Sequence, residues 1–342
     1  MNHIPSSSTP AASKTSSKAR WLILLITLAM LGWFVYSRRG DLALLPQYLR
    51  QVTVGNLAEL ASLEFLFLAL AAQSNRLVYR SIGVNNSLLE QLQLLVAAST
   101  VERLLPSGGA AGMSSYVWLA HGRGIPVSES IRMTATTFVM GYLQIVPLLI
   151  VPLFWIDSYN FPFNEAVVLV VVSAGFVILA AGLALLIGSQ RFLDWISNLQ
   201  FVSRFPRVIA SLVAGRDHVR FSWRNRRELL PPLLLLWSLY PVRIAMLEAC
   251  FSAFHTQVSL PLLWAGYSLT ILISFLTFLP TTLGVFELSM VGTFALLGVP
   301  TDLATAVTLL YRAFTYWLPV PLGLLAWWNL RRRVVSSEYR NQ

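Results

Sequence analysis

Charge is scarce in this chain. Asp, Glu, Lys and Arg make up only 12% of its 342 residues, against about 25% in soluble domains. With 56% hydrophobic residues, that scarcity excludes an ordinary soluble globular domain. Cysteine is nearly absent: Cys250 stands alone, so no intramolecular disulfide can form. The four histidines, His3, His121, His218 and His255, lie far apart and show no metal-ligand spacing. Neither a metal site nor a cofactor is expected. Lysine is also rare. Lys14 and Lys18 are its two occurrences, so 23 of the 25 basic residues are arginines. The net charge of +10 is scattered over short loops, which argues against nucleic acid as a partner. Either it reflects membrane topology or codon bias, or it suits phosphate through the planar, bidentate guanidinium.

Long apolar runs are abundant. Several reach the roughly 20 helical residues that cross a bilayer. The chain therefore reads as an all-α polytopic membrane protein with about eight membrane segments. Residues 1–19 are rich in Ser, Thr, Ala and Lys and read as a disordered tail. Trp21 to Tyr36 is the first apolar run; Arg38 and Arg39 follow it instead of a small-residue cleavage site, so it reads as a retained anchor. Further segments are expected at about 57–74, 87–105, 107–120, 130–155, 166–188, 229–253, 258–280, 282–297 and 302–329. Residues 20–333 form one integral membrane domain on this reading, and 334–342 a short tail.

Basic residues orient the chain. Eight arginines fall in 191–227, and Arg331, Arg332 and Arg333 close the last segment, so these regions belong in the cytoplasm. Connections 156–165 and 254–257 carry no Lys or Arg and go outside. Both termini are then cytoplasmic, in the plasma (inner) membrane. Arg38, Arg39 and Arg50 do not fit, since they land outside. The basic stretch is either a surface-lying amphipathic element or a solvated loop.

Segments 107–120 and 282–297 are short, and each follows a proline, Pro106 or Pro280. LLPSGGAAGMSSYVWLAHGRGIPVS, from Leu104, aligns without gaps on FLPTTLGVFELSMVGTFALLGVPTD, from Phe278. Pro106 falls on Pro280, Ser115 on Ser289, Gly124 on Gly298 and Pro126 on Pro300, at a constant offset of 174. Three crossings between the units would invert the second relative to the first. Inverted repeats with two re-entrant or broken-helix hairpins place a transporter's site at their interface. The repeat units are expected at about 86–155 and 258–329.

A charge at the bilayer centre costs at least ~2.5 kcal/mol, so such residues normally face the protein interior. The candidates are Glu102, Arg103, Arg243, Glu248, Glu287 and Arg312. Glu102 and Arg103 are adjacent and cannot pair on one helix. Glu287 and Arg312 lie on neighbouring segments joined by a short turn and can pair. Glu287 follows Gly284 and a helix restart, where free N–H groups bind anions. Glu64 is the weakest candidate, placed near an interface. Gly108 and Gly109 in PSGGAAG either expose N–H groups toward a phosphate or permit close helix packing. No GKS or GKT follows, so this is not a Walker loop.

Three stretches carry a resemblance: LP-x-x-LGVFE at Leu279 to Glu287, LLGVP at Leu296 to Pro300, and LLYRAFTYWLPVPLG at Leu309 to Gly323. Together they resemble the lysylphosphatidylglycerol synthase transmembrane family, over about residues 20–330. That family includes the membrane half of the multiple peptide resistance factor. The resemblance implies a lipid-translocating domain, with the carry-over falling on Pro280, Gly284, Glu287 and Arg312. Thr281 and Thr282 depart from glycines common in the family, and Met113 to Tyr116 depart from charged residues common there. The chain ends soon after Arg333 without an aminoacyltransferase domain, so synthase activity is not expected. The substrate pathway is assigned to Glu287, Arg312, Gly284, Pro280, Glu102, Arg103, Pro106, Gly108, Gly109 and Arg243. Anionic phospholipid is the expected partner, and a homo-oligomer is compatible with the sequence. The alternative is a membrane-embedded enzyme or partner subunit modifying lipid or polyprenyl-linked head groups, with Glu102 or Glu287 as general base.

Overall fold

The computed structural model describes residues 46–81, 83–104, 110–158, 226–276 and 284–340. The expected first segment, the 166–188 segment and the basic stretch up to residue 225 lie outside them, as do Pro106, Gly108, Gly109 and Pro280. The described residues contain helices and no strand. In chain order the α-helices are α1 (Val54–Ser81), α2 (Leu88–Leu104), α3 (Ala110–His121), α4 (Val127–Ile150), α5 (Arg226–Ala253), α6 (Leu260–Leu276), α7 (Val285–Leu296), α8 (Thr301–Arg312) and α9 (Pro319–Arg340). A 3-10 turn, Val151–Ser158, follows α4, and a π turn, Ala313–Trp317, joins α8 to α9. Two of these helices, Val54–Ser81 and the 27 residues from Arg227 of α5, are long and apolar enough to cross a bilayer alone.

The helices on either side of the two expected breaks match in length. A 17-residue helix, α2 or α6, precedes each break, and a 12-residue helix, α3 or α7, follows it. Both short helices end at a glycine in the left-handed region, Gly124 at φ +79° and Gly298 at φ +87°, where a β-carbon is strained. The closing bonds also repeat at the offset of 174. Ile125 N–H donates to Ala120 O at 3.2 Å, and Val299 N–H donates to Phe294 O at 2.9 Å. Pro126 and Pro300 then start α4 and α8, where proline's fixed φ suits the first turn and its missing N–H is not needed.

Two apolar clusters hold the helices together. One gathers Leu60, Ile244, Phe251, Met290, Phe294 and Tyr311 from α1, α5, α7 and α8. The other gathers Tyr79, Leu94, Tyr116, Leu119, Met133 and Leu330 around α2 and α3. Large apolar side chains also point outward, among them Phe65, Phe154, Trp317, Leu325 and Trp328. An outward apolar face of this kind suits lipid rather than water.

Prolines inside helices free carbonyls, and side chains of neighbouring helices take them up. Pro147 cannot donate to Leu143 O, and Trp237 Nε1 on α5 donates to that oxygen at 3.2 Å. Pro152 leaves Leu148 O without its helical donor, and Ser268 Oγ on α6 donates there at 2.7 Å. This is how irregular helices meet their hydrogen bonds where water is excluded. Thr270, Thr305, Thr308 and Thr315 instead donate back to the carbonyl four residues earlier.

Helix α9 crosses α2 at a small-residue contact. A β-carbon on Gly323 would lie 2.5 Å from Val96 O and 2.7 Å from Thr100 Cβ. The first of these is backbone and cannot swing aside. Gly323→Ala is therefore expected to lower stability by about 1–3 kcal/mol through overpacking. Thermal unfolding in detergent checks this; an unchanged midpoint would show that the crossing is loose.

Candidate functional site

The sequence pairing of Glu287 with Arg312 is present in the fold. Arg312 Nε donates to Glu287 Oε1 at 2.6 Å, and both residues are buried. The other carboxylate oxygen is also engaged. Gly284, at φ +86°, caps α7, and its N–H donates to Glu287 Oε2 at 2.7 Å. A glutamate at the third helical position reaching back to the cap N–H is half of a capping box. This sharpens the expectation of an anion site at the α7 restart. The anion at the Gly284 N–H is the protein's own carboxylate.

Arg312 is held on its faces too. Its guanidinium carbon stands 4.7 Å from the Phe286 ring and 4.4 Å from the Tyr316 ring. Such contacts contribute ~0.5–2 kcal/mol each, more when desolvated. Phe286 stacks on Tyr311 at 6.2 Å, with the planes 9° apart. Among the described residues, Arg312 Nη2 is enclosed and makes no hydrogen bond. One guanidinium donor is thus oriented but unused.

The π turn places Tyr316 between two arginines. Arg103 lies 5.6 Å from its ring centre. The Tyr316 hydroxyl donates to Arg103 O at 3.0 Å, taking up a carbonyl at the α2 terminus. Single π turns inside α-helices often mark functional positions. Here the turn rotates Tyr316 to serve both Arg103 and Arg312.

Arg243 pairs with Glu64, through Nη1 and Oε2. The two are 179 positions apart, on α5 and α1. Glu64 is only 1% exposed, the most deeply buried of these charges. Arg103 is in Coulombic range of Glu64, Arg243 and Arg312. Of the three guanidinium groups, Arg243 pairs with Glu64 and Arg312 with Glu287, and Arg103 is also in Coulombic range of its chain neighbour Glu102.

The structure brings together Gly284, Glu287, Arg312, Arg103 and Arg243. Glu102, beside Arg103 in the chain, is in Coulombic range of that arginine. Glu102 lines a separate cavity of about 250 Å³ with Asn75, Ser99, Tyr116, Thr134 and Thr137. A β-carbon on Gly112 would come within 2.7 Å of Glu102 Oε2, so this glycine makes room for the carboxylate. Glu248 is exposed on α5 and stands outside the cluster. Sequence reasoning missed the Glu64, Phe286 and Tyr316 roles. The signal available for Glu64 was a carboxylate followed directly by the apolar run Phe65 to Ala72 of α1. No group of His, Cys, Asp and Glu among the described residues is arranged to hold a metal ion.

Comparison with known proteins agrees with this architecture. An UPF0104 membrane protein of Methanothermobacter thermautotrophicus is 24% identical over 283 residues, which is 77% of this chain and 82% of that protein. An UPF0104 membrane protein of Methanocaldococcus jannaschii is 28% identical over 130 residues, 37% of this chain and 38% of that one. No solved structure matches the chain. The family described as the lysylphosphatidylglycerol synthase TM region matches residues 20–323. With nearly nine-tenths of its length inside that match, this chain belongs to the lysylphosphatidylglycerol synthase transmembrane-region family of membrane proteins.

Proposed function

We propose that this protein moves an anionic phospholipid, or a related anionic lipid, across the plasma (inner) membrane. The observation that carries the reading is Arg312, buried with its Nη2 donor unused among the described residues, beside the buried Arg243 and the half-buried Arg103. A buried donor without an acceptor is costly, and a lipid phosphate supplies one. Arg312 Nη2 is held in place with a donor to spare. Glu287 fixes Arg312 while capping α7, so a change at this pair reaches a helix end at the second break.

In this reading the units around α2–α4 and α6–α8 are an inverted repeat within about eight membrane segments, and both termini are cytoplasmic. The matched helix lengths and turn bonds support the repeat. Pro106, Gly108, Gly109 and Pro280, which lie outside the described residues, are assigned to the same pathway in this reading.

A proteoliposome assay tests this. Purified protein is reconstituted with labelled phosphatidylglycerol or cardiolipin in one leaflet. Wild type is expected to equilibrate the label faster than empty vesicles, and Arg312→Ala to run close to the empty-vesicle rate. Wild type that is no faster than empty vesicles overturns the reading.

A further inference from the structure

The cavity beside Arg243 is distinct from the Glu287–Arg312 pair. It measures about 240 Å³ and lies among α1, α4, α5 and α6. Arg243, Gln144, Tyr240, Tyr267, Phe67 and Gly141 are among its walls. Arg243 is aimed by its neighbours. Its Nη1 is held by Glu64 and by Met246 Sδ at 3.3 Å. Its guanidinium carbon lies 3.5 Å from the centre of the Phe67 ring. Among the described residues, Nε and Nη2 have no hydrogen-bond partner and are not enclosed. Arg243 lines the cavity, so these two donors are available to an occupant. Gln144 adds an amide that makes no hydrogen bond among the described residues.

We propose that this cavity is a subsite for the phosphodiester of a net-anionic lipid head group, one with no cation of its own, with Glu64 as the residue that positions Arg243. The inference rests on the lipid-transport reading and names where the phosphate is held. Two donors of one guanidinium match two oxygens of a phosphate. Glu64 is shared, since it lies in Coulombic range of both Arg243 and Arg103, which leaves room for one more negative charge. The volume is below the ~300–1,000 Å³ of a pocket that encloses a drug-sized ligand. It takes a head group and leaves the acyl chains outside. Free inorganic phosphate shares the recognised chemistry, so the test separates the two sources.

Gly141 offers a clean way to close the cavity. A β-carbon there meets nothing within 4 Å, so Gly141→Leu fills the cavity with no forced backbone clash. Gly292, on α7, has the same free space and lies outside the cavity, so Gly292→Leu is the control. Binding of dihexanoylphosphatidylglycerol, dihexanoylphosphatidylcholine and inorganic phosphate is measured by calorimetry on purified protein in detergent. Thermal unfolding of each variant checks the fold. Wild type is expected to bind the glycerol lipid saturably and prefer it to both other probes. Gly141→Leu and Arg243→Lys are expected to weaken it by about tenfold or more, and Gly292→Leu to leave it unchanged. Glu64→Gln is expected to weaken binding while Arg243 remains present, as a positioning role requires.

A folded Gly141→Leu that binds the lipid as wild type does overturns the subsite. Equal binding of phosphatidylcholine overturns the charge assignment. Inorganic phosphate binding as tightly as the lipid overturns the head-group assignment. Transport is measured on the same proteins to separate the two ideas. Wild type that binds the lipid but moves none overturns the transport reading alone. Transport and binding that both survive in Gly141→Leu overturn the subsite alone.

Discussion

Glu287→Ala is expected to have the largest effect of any single substitution, about 3–5 kcal/mol of lost stability. The carboxylate does two jobs at once. It neutralises the buried Arg312 through Oε1 and receives the Gly284 N–H through Oε2. Removing one partner of a buried ion pair strands the other charge, which accounts for that magnitude. Glu287→Gln separates the two jobs. A glutamine at the third helical position still accepts the cap hydrogen bond, so α7 keeps its start, while Arg312 loses its counter-charge. Glu287→Gln should therefore unfold at a temperature between those of wild type and Glu287→Ala. Its transport rate should fall with Arg312 no longer fixed; a 3 kcal/mol effect corresponds to roughly a hundredfold. Thermal unfolding in detergent and the proteoliposome rate measure the two effects. A Glu287→Gln protein with wild-type rate and midpoint would show that the charge pair is incidental.

The Glu64–Arg243 pair has the second-largest expected effect, and a double-mutant cycle reads it. Glu64→Leu alone leaves Arg243 uncompensated among Phe67, Met246 and Tyr267. Arg243→Leu alone leaves Glu64 buried without its partner. Each is expected to cost about 3–5 kcal/mol. The double variant buries two apolar side chains in a setting that is already apolar, and most of the loss should return. Transport should not return with it, because the donor offered to the head group is gone. A double variant no more stable than the singles would mean that the pairing is not what stabilises α1 against α5. A double variant that transports normally would remove Arg243 from the pathway.

The Gly284–Glu287 arrangement also explains why the two breaks are not equivalent. Met113 stands where Glu287 stands in the second unit. The first unit instead has Glu102 from the preceding helix α2, fitted against Gly112 and facing its own cavity. One acid is locked to an arginine and a helix end. The other faces open space among Asn75, Ser99, Tyr116 and two threonines. Equivalent backbone turns therefore carry different chemistry.

How much was legible beforehand varies from one residue to another. The Glu287–Arg312 pair was readable because one short helix and one tight turn separate its members. Local geometry alone brings such residues together. The turns after α3 and α7 were readable because glycine and proline act on their own backbone, through the positive φ of Gly124 and Gly298 and the missing N–H of Pro126 and Pro300. The helix boundaries followed closely: 107–120 became Ala110–His121, and 282–297 became Val285–Leu296. The Glu64–Arg243 pair was not readable. In a membrane the lipid is as apolar as the core, so the inward and outward faces of a helix such as α1 look alike in sequence. Burial of Glu64 depends on which face α5 covers.

From the sequence alone came a helical membrane chain, the place of the short helices α3 and α7 and the acid beside Gly284. Those follow from composition and from backbone chemistry, which act within a few residues. The tertiary structure alone decided that Glu64 belongs to Arg243, that Glu102 turns away to its own cavity, and that Tyr316 stands between Arg103 and Arg312. Each of these depends on the rotation of one helix against another. In an apolar solvent, side-chain packing and buried charge set that rotation, and hydropathy along the chain carries no record of it.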